Sequence, residues 1–600
     1  MWRAMCLTLC ALVSACLGGD MDDADAKEAA AAAGEDDTRN DARDPQRDTA
    51  TEGQDGETTG PPEGTTPGDD GEEGQQDDPE RAGEPANQPD EDPAQDDGSQ
   101  EAGDEAMQGE VDPMDLGPQL SVVRVEPTAR GISAPVDGPI VIHFDRPVDR
   151  SSVTPESLWA FGRWSGPVRD GEYTFSDDDR TVSLSSPRKW SCGDRVTVVL
   201  SRALTAADGT NLRDEGFSFQ FITATKAAPM AFTEIERQTT RSSASAPTRS
   251  YGGSAADLDG DGYLDLMIVN EDSLDLRIFM NKGDGSGTFH PFTQKPIVAL
   301  DQRASPSETT DFNGDGKVDL VTANLDANNL SILFGNGDGT FTESQKIRVG
   351  EEPRGVAVID ADGDGDIDIV NTNANSDNMS LLLNDGTGQF PEDEGPDFVF
   401  WDAAQGQATA TREFGLFAGD MDEDGILDLV IGASGIANGD GAGTVINRGV
   451  GDGTFEFLSL SAPMTTPWQL AVGDLNGDGH EDVATADGRL RSSRNTVSML
   501  LGDGEGALES VQSYSENINR PFAIDLGDLD GDADLDVVVS NYTGDWEVLK
   551  NDGTGQVTLS QSVNATRAAS CALLLDVDAD DDLDLVLIDE EQDEIVVMQQ

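Results

Sequence analysis

Apolar residues in this chain fall into short runs, and the character of the runs changes along its length. One run, Leu7 to Val13, stands near the start. Between 118 and 224 apolar residues take every second position. Examples are Ser121-Val-Val-Arg-Val125, Ile140-Val-Ile-His-Phe144, Thr181-Val-Ser-Leu184, Val196-Thr-Val-Val-Leu200 and Phe217-Ser-Phe-Gln-Phe221. A period of two predicts strands with one buried face. About seven such strands fit between the turn residues, which suits a β-sandwich. In that alternation His143 faces solvent or a neighbour rather than a metal.

From 226 to 600 the strands recur in a fixed order. A short strand such as Gln469-Leu-Ala-Val-Gly473 leads into an Asp-rich loop. An apolar strand follows, as in Asp319-Leu-Val-Thr322 or Asp428-Leu-Val-Ile431. A third strand runs into a Gly-rich turn, as in Ser331-Ile-Leu-Phe-Gly-Asn-Gly-Asp-Gly-Thr-Phe341, and a fourth opens at the Phe. Asp-Gly between apolar runs is a strong hairpin signal. The first Asp of each loop recurs after 54, 49, 60, 54, 54 and 48 residues. Four strands per unit at a period near 50 residues predict propeller blades. The last unit stops after Glu594-Ile-Val-Val-Met598, before a fourth strand. Ala231-Phe232-Thr-Glu-Ile-Glu-Arg237, ahead of the first unit, is the segment that would supply it and remove the open edges.

The loops are the chain's candidate chemistry. Asp or Asn occupies positions 1, 3, 5 and 9 in all seven. The residues are Asp257, Asp259, Asp261 and Asp265; Asp311, Asn313, Asp315 and Asp319; Asp360, Asp362, Asp364 and Asp368; Asp420, Asp422, Asp424 and Asp428; Asp474, Asn476, Asp478 and Asp482; Asp528, Asp530, Asp532 and Asp536; Asp576, Asp578, Asp580 and Asp584. Hard oxygen donors at this spacing suit Ca2+, which takes six to eight oxygens from a flexible loop. Glycine at position 6 permits the sharp turn, except where Ala533 and Asp581 stand.

Composition narrows the function classes. A formal net charge of -80 makes nucleic acid and anionic membrane surfaces poor partners. Three His, far apart, give a His-based active site or zinc cluster little to build from. There is no Ser-His-Asp order, no phosphate-cradling Gly-Lys loop and no paired-Cys metal motif. Cys192 and Cys571 read as two separate buried thiols, with an interdomain disulfide as the alternative. From Asp20 to Leu116, 34 Asp and Glu stand against 5 Lys and Arg, with no aromatic residue. Such a segment cannot bury enough apolar surface to fold, so 17–117 is expected to be a disordered acidic linker.

Three resemblances extend this reading. The Val-Gly-Asp-Leu-Asn-Gly-Asp-Gly run with its following Asp, and the Asn-Gly-Asp-Gly-Thr-Phe turn, resemble the FG-GAP/VCBS repeat of integrin α-chains and bacterial surface proteins. The resemblance implies a seven-bladed β-propeller over 226–600, with Ca2+ held by the side chains at positions 1, 3, 5 and 9 and the carbonyl at 7. Phe144-Asp-Arg-Pro147-Val148-Asp149, Gly193 before Val196-Thr-Val, and Phe219-Gln-Phe221-Ile-Thr223 resemble a bacterial Ig-like domain, which implies that 118–224 is a spacer or presenter. Leu12-Val13-Ser14-Ala15-Cys16 resembles the lipobox of bacterial lipoproteins. It implies a signal peptide over 1–16, lipidation of Cys16, and an outer-membrane or cell-surface location.

The expected fold is therefore all-β: a seven-bladed propeller preceded by an Ig-like sandwich and a long acidic linker. Six residues before each first Asp stand Tyr251, Ser305, Arg354, Phe414, Trp468, Phe522 and Ser570. Tyr251, Arg354, Phe414, Trp468 and Phe522 are the candidate ligand-binding residues, because clustered aromatics suit stacking on a sugar or an anchoring side chain. The alternative is that they plug the channel. The expected role is binding a surface protein or glycan, not catalysis. A propeller-borne carbohydrate-active enzyme and a purely structural protein are the other readings.

Overall fold

The computed structural model describes residues 119–376, 378–391, 397–398, 411–435, 443–461, 467–488 and 495–600. The expected signal peptide with Cys16, and the acidic linker, lie outside them. All regular structure among the described residues is β apart from two short 3-10 turns, Arg150–Ser152 and Phe292–Gln294. No helix among them is long and apolar enough to cross a membrane.

The first part has eight strands: β1 (Val122–Glu126), β2 (Ile140–Phe144), β3 (Leu158–Gly162), β4 (Gly166–Val168), β5 (Glu172–Phe175), β6 (Thr181–Ser185), β7 (Arg195–Leu200) and β8 (Phe217–Ile222). They form two antiparallel sheets, ordered β1-β2-β6-β5 and β4-β3-β7-β8. Ile140, Ile142, Val182 and Leu184 of one sheet meet Leu158, Val196, Val198 and Phe219 of the other in a shared core. The second sheet is buried on its outer face too. Trp159, Phe161 and Val199 leave that core and join an apolar cluster with Phe312, Val321, Ile369 and Phe390 of the repeats.

The repeats build seven four-stranded antiparallel sheets. Their first strands are Ser250–Ala256, Ala304–Thr310, Pro353–Ile359, Thr411–Gly419, Pro467–Gly473, Pro521–Gly527 and Ala569–Leu575. Each lies against the next, and the seventh lies against the first. An apolar cluster fills every gap between neighbouring sheets. In the gap between sheets seven and one, Leu575, Val586 and Ile588 pack with Ala255, Leu266 and Ile268. The fourth strand of sheet seven is β9 (Thr233–Thr239), paired antiparallel with Glu594–Gln599 from Glu594↔Thr239 to Gln599↔Thr233. The segment expected to complete the last unit therefore does so. A β-bulge interrupts the first strand of all seven sheets at the same place.

The two-sheet domain does not stand clear of the repeats as a spacer would. It and the segment after it touch the Asp loop of every sheet. At loop one, the Asp257 amide donates to the Trp164 carbonyl at 3.3 Å. Arg169 Nε donates to Asp311 Oδ2 of loop two at 3.1 Å. Trp159 Nε1 donates to the Gly365 carbonyl of loop three at 3.0 Å. Arg130 reaches Asp420 Oδ2 of loop four at 3.1 Å and the Gly479 carbonyl of loop five at 2.9 Å. Thr225 Oγ1 bonds the Asp528 carbonyl and the Lys226 amide bonds the Asp581 carbonyl. Glycine in the loops permits this approach. A Cβ on Gly363 would lie 2.5 Å from the backbone of Glu215.

At the centre of the contact, Arg195 lies 3.6 Å from Glu481 and Arg163 lies 3.7 Å from Asp525. The junction there leaves a cavity of about 30 Å3 lined by Arg163, Arg195, Phe417, Asp525 and Leu574, room for about one water. Cys192 and Cys571 are both free, the first buried and the second half-buried. His143 is half-buried between Glu126 Oε1 at 3.3 Å and Thr181 Oγ1 at 3.1 Å.

Candidate functional site

Each Asp loop is tied by the same hydrogen bonds, because acidic side chains at odd positions can accept from amides further along a tight turn. Position 1 Oδ2 accepts from the amide at position 6 in every loop, from Gly262 at 3.1 Å to Asp581 at 3.0 Å. Position 5 Oδ1 accepts from the amide at position 7 in every loop. The loops need positive φ at positions 4 and 6. Glycine supplies it at Gly260 and Gly262, whereas Ala533 at φ 70 and Asp581 at φ 71 adopt it with a Cβ.

Position 9 has a second task that its spacing does not reveal. Its Oδ2 accepts from the amide at position 2 in every loop. Its Oδ1 accepts from the amide at the end of the third strand, namely Asn281, Gly335, Asn384, Gly449, Gly502, Asn551 and Gln600. The carboxylate therefore staples three segments of each sheet before any ion is considered.

The donor set fits a hard dication. In loops one, three, four, six and seven, carboxylate oxygens from positions 1, 3 and 9 lie within 4.8 Å of one another. Asp420 Oδ1 and Asp422 Oδ1 are buried without a hydrogen-bond partner, as are Asp530 Oδ1 and Asp578 Oδ1. Burial pushes the position-nine carboxyls up, to about 8 at Asp265, Asp319, Asp428 and Asp584 and to about 7 at Asp482 and Asp536. At position 1 burial pushes Asp420 up to about 7, against the pull of Arg130. Ionised carboxylates packed this closely need a cation, and a bound dication would return them to the charged form.

The opposite end of each first strand carries the second constellation. Tyr251, Trp468 and Phe522 lie within the bulges of their strands, where an extra residue re-aims a side chain. They converge. Phe522 sits 5.3 Å from Trp468 and 5.8 Å from Tyr251, ring centroid to centroid. Arg354 is buried and lies 5.9 Å over the Trp468 ring. Phe414 is in its expected strand, but its side chain is outside the described residues. Ser305 and Ser570 are buried, and Ser570 Oγ donates to the Ser250 carbonyl.

Two residues of this mouth were not read from the sequence. Tyr542, in the turn joining strands two and three of sheet six, lies 5.3 Å from Phe522. Arg520, at φ 58, lies 5.1 Å over Tyr542. Turns between strands two and three share this end, and that was the available signal. The long loop of sheet four, 432–443, falls mostly outside the described residues.

Comparison with known proteins agrees with the repeats. The FG-GAP-like repeat model matches residues 311–371, 360–431, 420–485, 474–539 and 528–587. The protein is thus an all-β repeat protein carrying FG-GAP-like repeats. No curated protein matches the chain. Among solved structures, BBS1N in complex with ARL6DN, soaked with lead, is 13% identical, with 62% of this chain and 98% of that one covered at a TM-score of 0.42. Virginiamycin B lyase from Staphylococcus aureus is 13% identical, with 62% and 100% covered at 0.40. An auxiliary nutrient binding protein from Bacteroides ovatus is 12% identical, with 81% and 99% covered at 0.31.

Proposed function

We propose that this is a calcium-stabilised surface lipoprotein whose repeats close as a seven-bladed β-propeller and bind a protein or glycan partner at the aromatic mouth. Closure is supported by the cyclic contact of the seven first strands and the pairing of β9 with the last strand. An immunoglobulin-like assignment for the first domain is supported by its strand order, which follows the A-B-E-D and C′-C-F-G pattern. Calcium is supported by the preformed loops and by the unpartnered buried oxygens of Asp420, Asp422 and Asp578. The ion would be held by positions 1, 3, 5 and 9 with the carbonyl at 7, and would act as a staple, not a catalyst. The action proposed for it is binding.

One observation carries the choice of site. The two-sheet domain covers the Asp-loop end, so the mouth is the end of the array left for a partner. Stacking aromatics at such a site contribute about 2 kcal/mol or more each. The test is a glycan and surface-protein array probed with the full chain and with Trp468→Ala and Phe522→Ala variants. Binding lost in the variants, with melting temperature unchanged, is the expected result. Full binding by both variants would move the site elsewhere.

The anchor has its own test. Cys16→Ser is expected to release the protein from the membrane fraction, and continued partition with membranes would overturn the lipoprotein reading.

A further inference from the structure

The seven loops serve as controls for one another, and in one of them a single lysine bonds two of the four acidic positions. The residue just before the amide that bonds position 9 is Met280, Phe334, Leu383, Arg448, Leu501, Lys550 or Gln599, in sheet order. In four sheets it is apolar and lies beside a glycine of the next sheet's Gly-rich turn: Met280 by Gly339, Phe334 by Gly388, Leu383 by Gly453 and Leu501 by Gly555. In sheet four it is Arg448, which turns to Glu456 at 2.7 Å. Sheet six has no such turn to pack against. The fourth strand of its neighbour, sheet seven, is β9, which arrives from the other end of the array.

Lys550 folds back instead onto its own Asp loop. Its Nζ donates to Asp530 Oδ2 at position 3 and to Asp532 Oδ2 at position 5, the latter at 2.9 Å. No other described lysine holds two of the four acidic positions of one loop. Lys317 and Lys226 each reach position 5 alone, at Asp315 and Asp580. The same loop is one of the two without glycine at position 6, since Ala533 stands there at φ 70.

We propose that Lys550 is the resident cation of the sixth Asp loop, which takes no calcium under conditions that fill loops with glycine at position 6. This rests on the calcium reading above. Asp530 Oδ1 still lacks a partner, so the difference lies in charge and not in the number of donors. An ammonium on two of the carboxylates supplies the positive charge that the ion supplies elsewhere. It also repels a dication entering the same ring of oxygens. Sheet six therefore keeps its loop closed when calcium is withdrawn.

The experiment is equilibrium dialysis of the metal-free full chain against calcium, with bound calcium counted per chain by elemental analysis. Lys550→Met, which installs the residue of sheet one, is expected to bind one more calcium than the parent. Asp530→Ala is expected to leave the parent count unchanged, while Asp362→Ala in loop three lowers it by one. Equal, non-zero counts for the parent and Lys550→Met, or a count lowered by Asp530→Ala, would overturn the assignment and leave the calcium reading standing. No calcium bound by parent or variant would overturn both.

Discussion

Withdrawing calcium with EDTA is expected to lower the melting temperature of the full chain by about 10 °C or more. Each site that binds only the folded state, at calcium one hundred times its dissociation constant, contributes about 2.7 kcal/mol. Several sites acting on one cooperative unit give a shift larger than any single side chain could. The physical cause lies in the carboxylates. Without an ion, Asp360 and Asp368 are buried in one loop with no cation between them, and both are pushed well above the ordinary carboxylate range by burial. Because the two-sheet domain is bonded to the loops at Gly365, Gly425 and Gly479, it should lose protection together with the repeats. Calorimetry with and without EDTA checks this. A melting curve that does not move would sink the calcium account.

Trp159→Ala is the second large effect. The indole is fully buried on the face of β3 turned toward the repeats, stacked 5.4 Å from Phe161 and covered by the Arg169 guanidinium at 3.4 Å. Its Nε1 holds the Gly365 carbonyl. Removing it is expected to cost about 3–5 kcal/mol, the range for an aromatic deleted from a core. The loss falls on the apolar cluster that the domain shares with sheets two and three, not on the domain's own core. The expected signature is a single calorimetric transition that splits in two. A uniform downward shift of one transition would mean that Trp159 serves the fold of its own domain instead.

These two effects also mark where the sequence was legible. The Asp loops, the strand order of each unit and the closing segment before the first unit are local patterns, and a period repeated seven times leaves little freedom. The domain's position on the loops is not local. It depends on Arg130, Arg169 and Arg202 meeting carbonyls and carboxylates more than a hundred residues away. In an acidic chain such arginines read as solvated charge. One cue was present, since Leu158-Trp-Ala-Phe-Gly162 lacks polar alternation and proves buried on both faces. Eight strands stand where about seven were expected, and β4 is only three residues long. The mouth was half legible. The offset of six residues found the bulged position in every first strand, but alternation cannot show a bulge or bring in Tyr542 from another turn.

Anomalous diffraction from crystals of the full chain grown with calcium tests the central claim most directly. The account predicts a calcium peak inside each of loops one to five, ringed by positions 1, 3, 5 and 9 and the carbonyl at 7, with the two-sheet domain seated over them. Any of loops one to five without anomalous signal at saturating calcium, or a domain lifted clear of them, would contradict it.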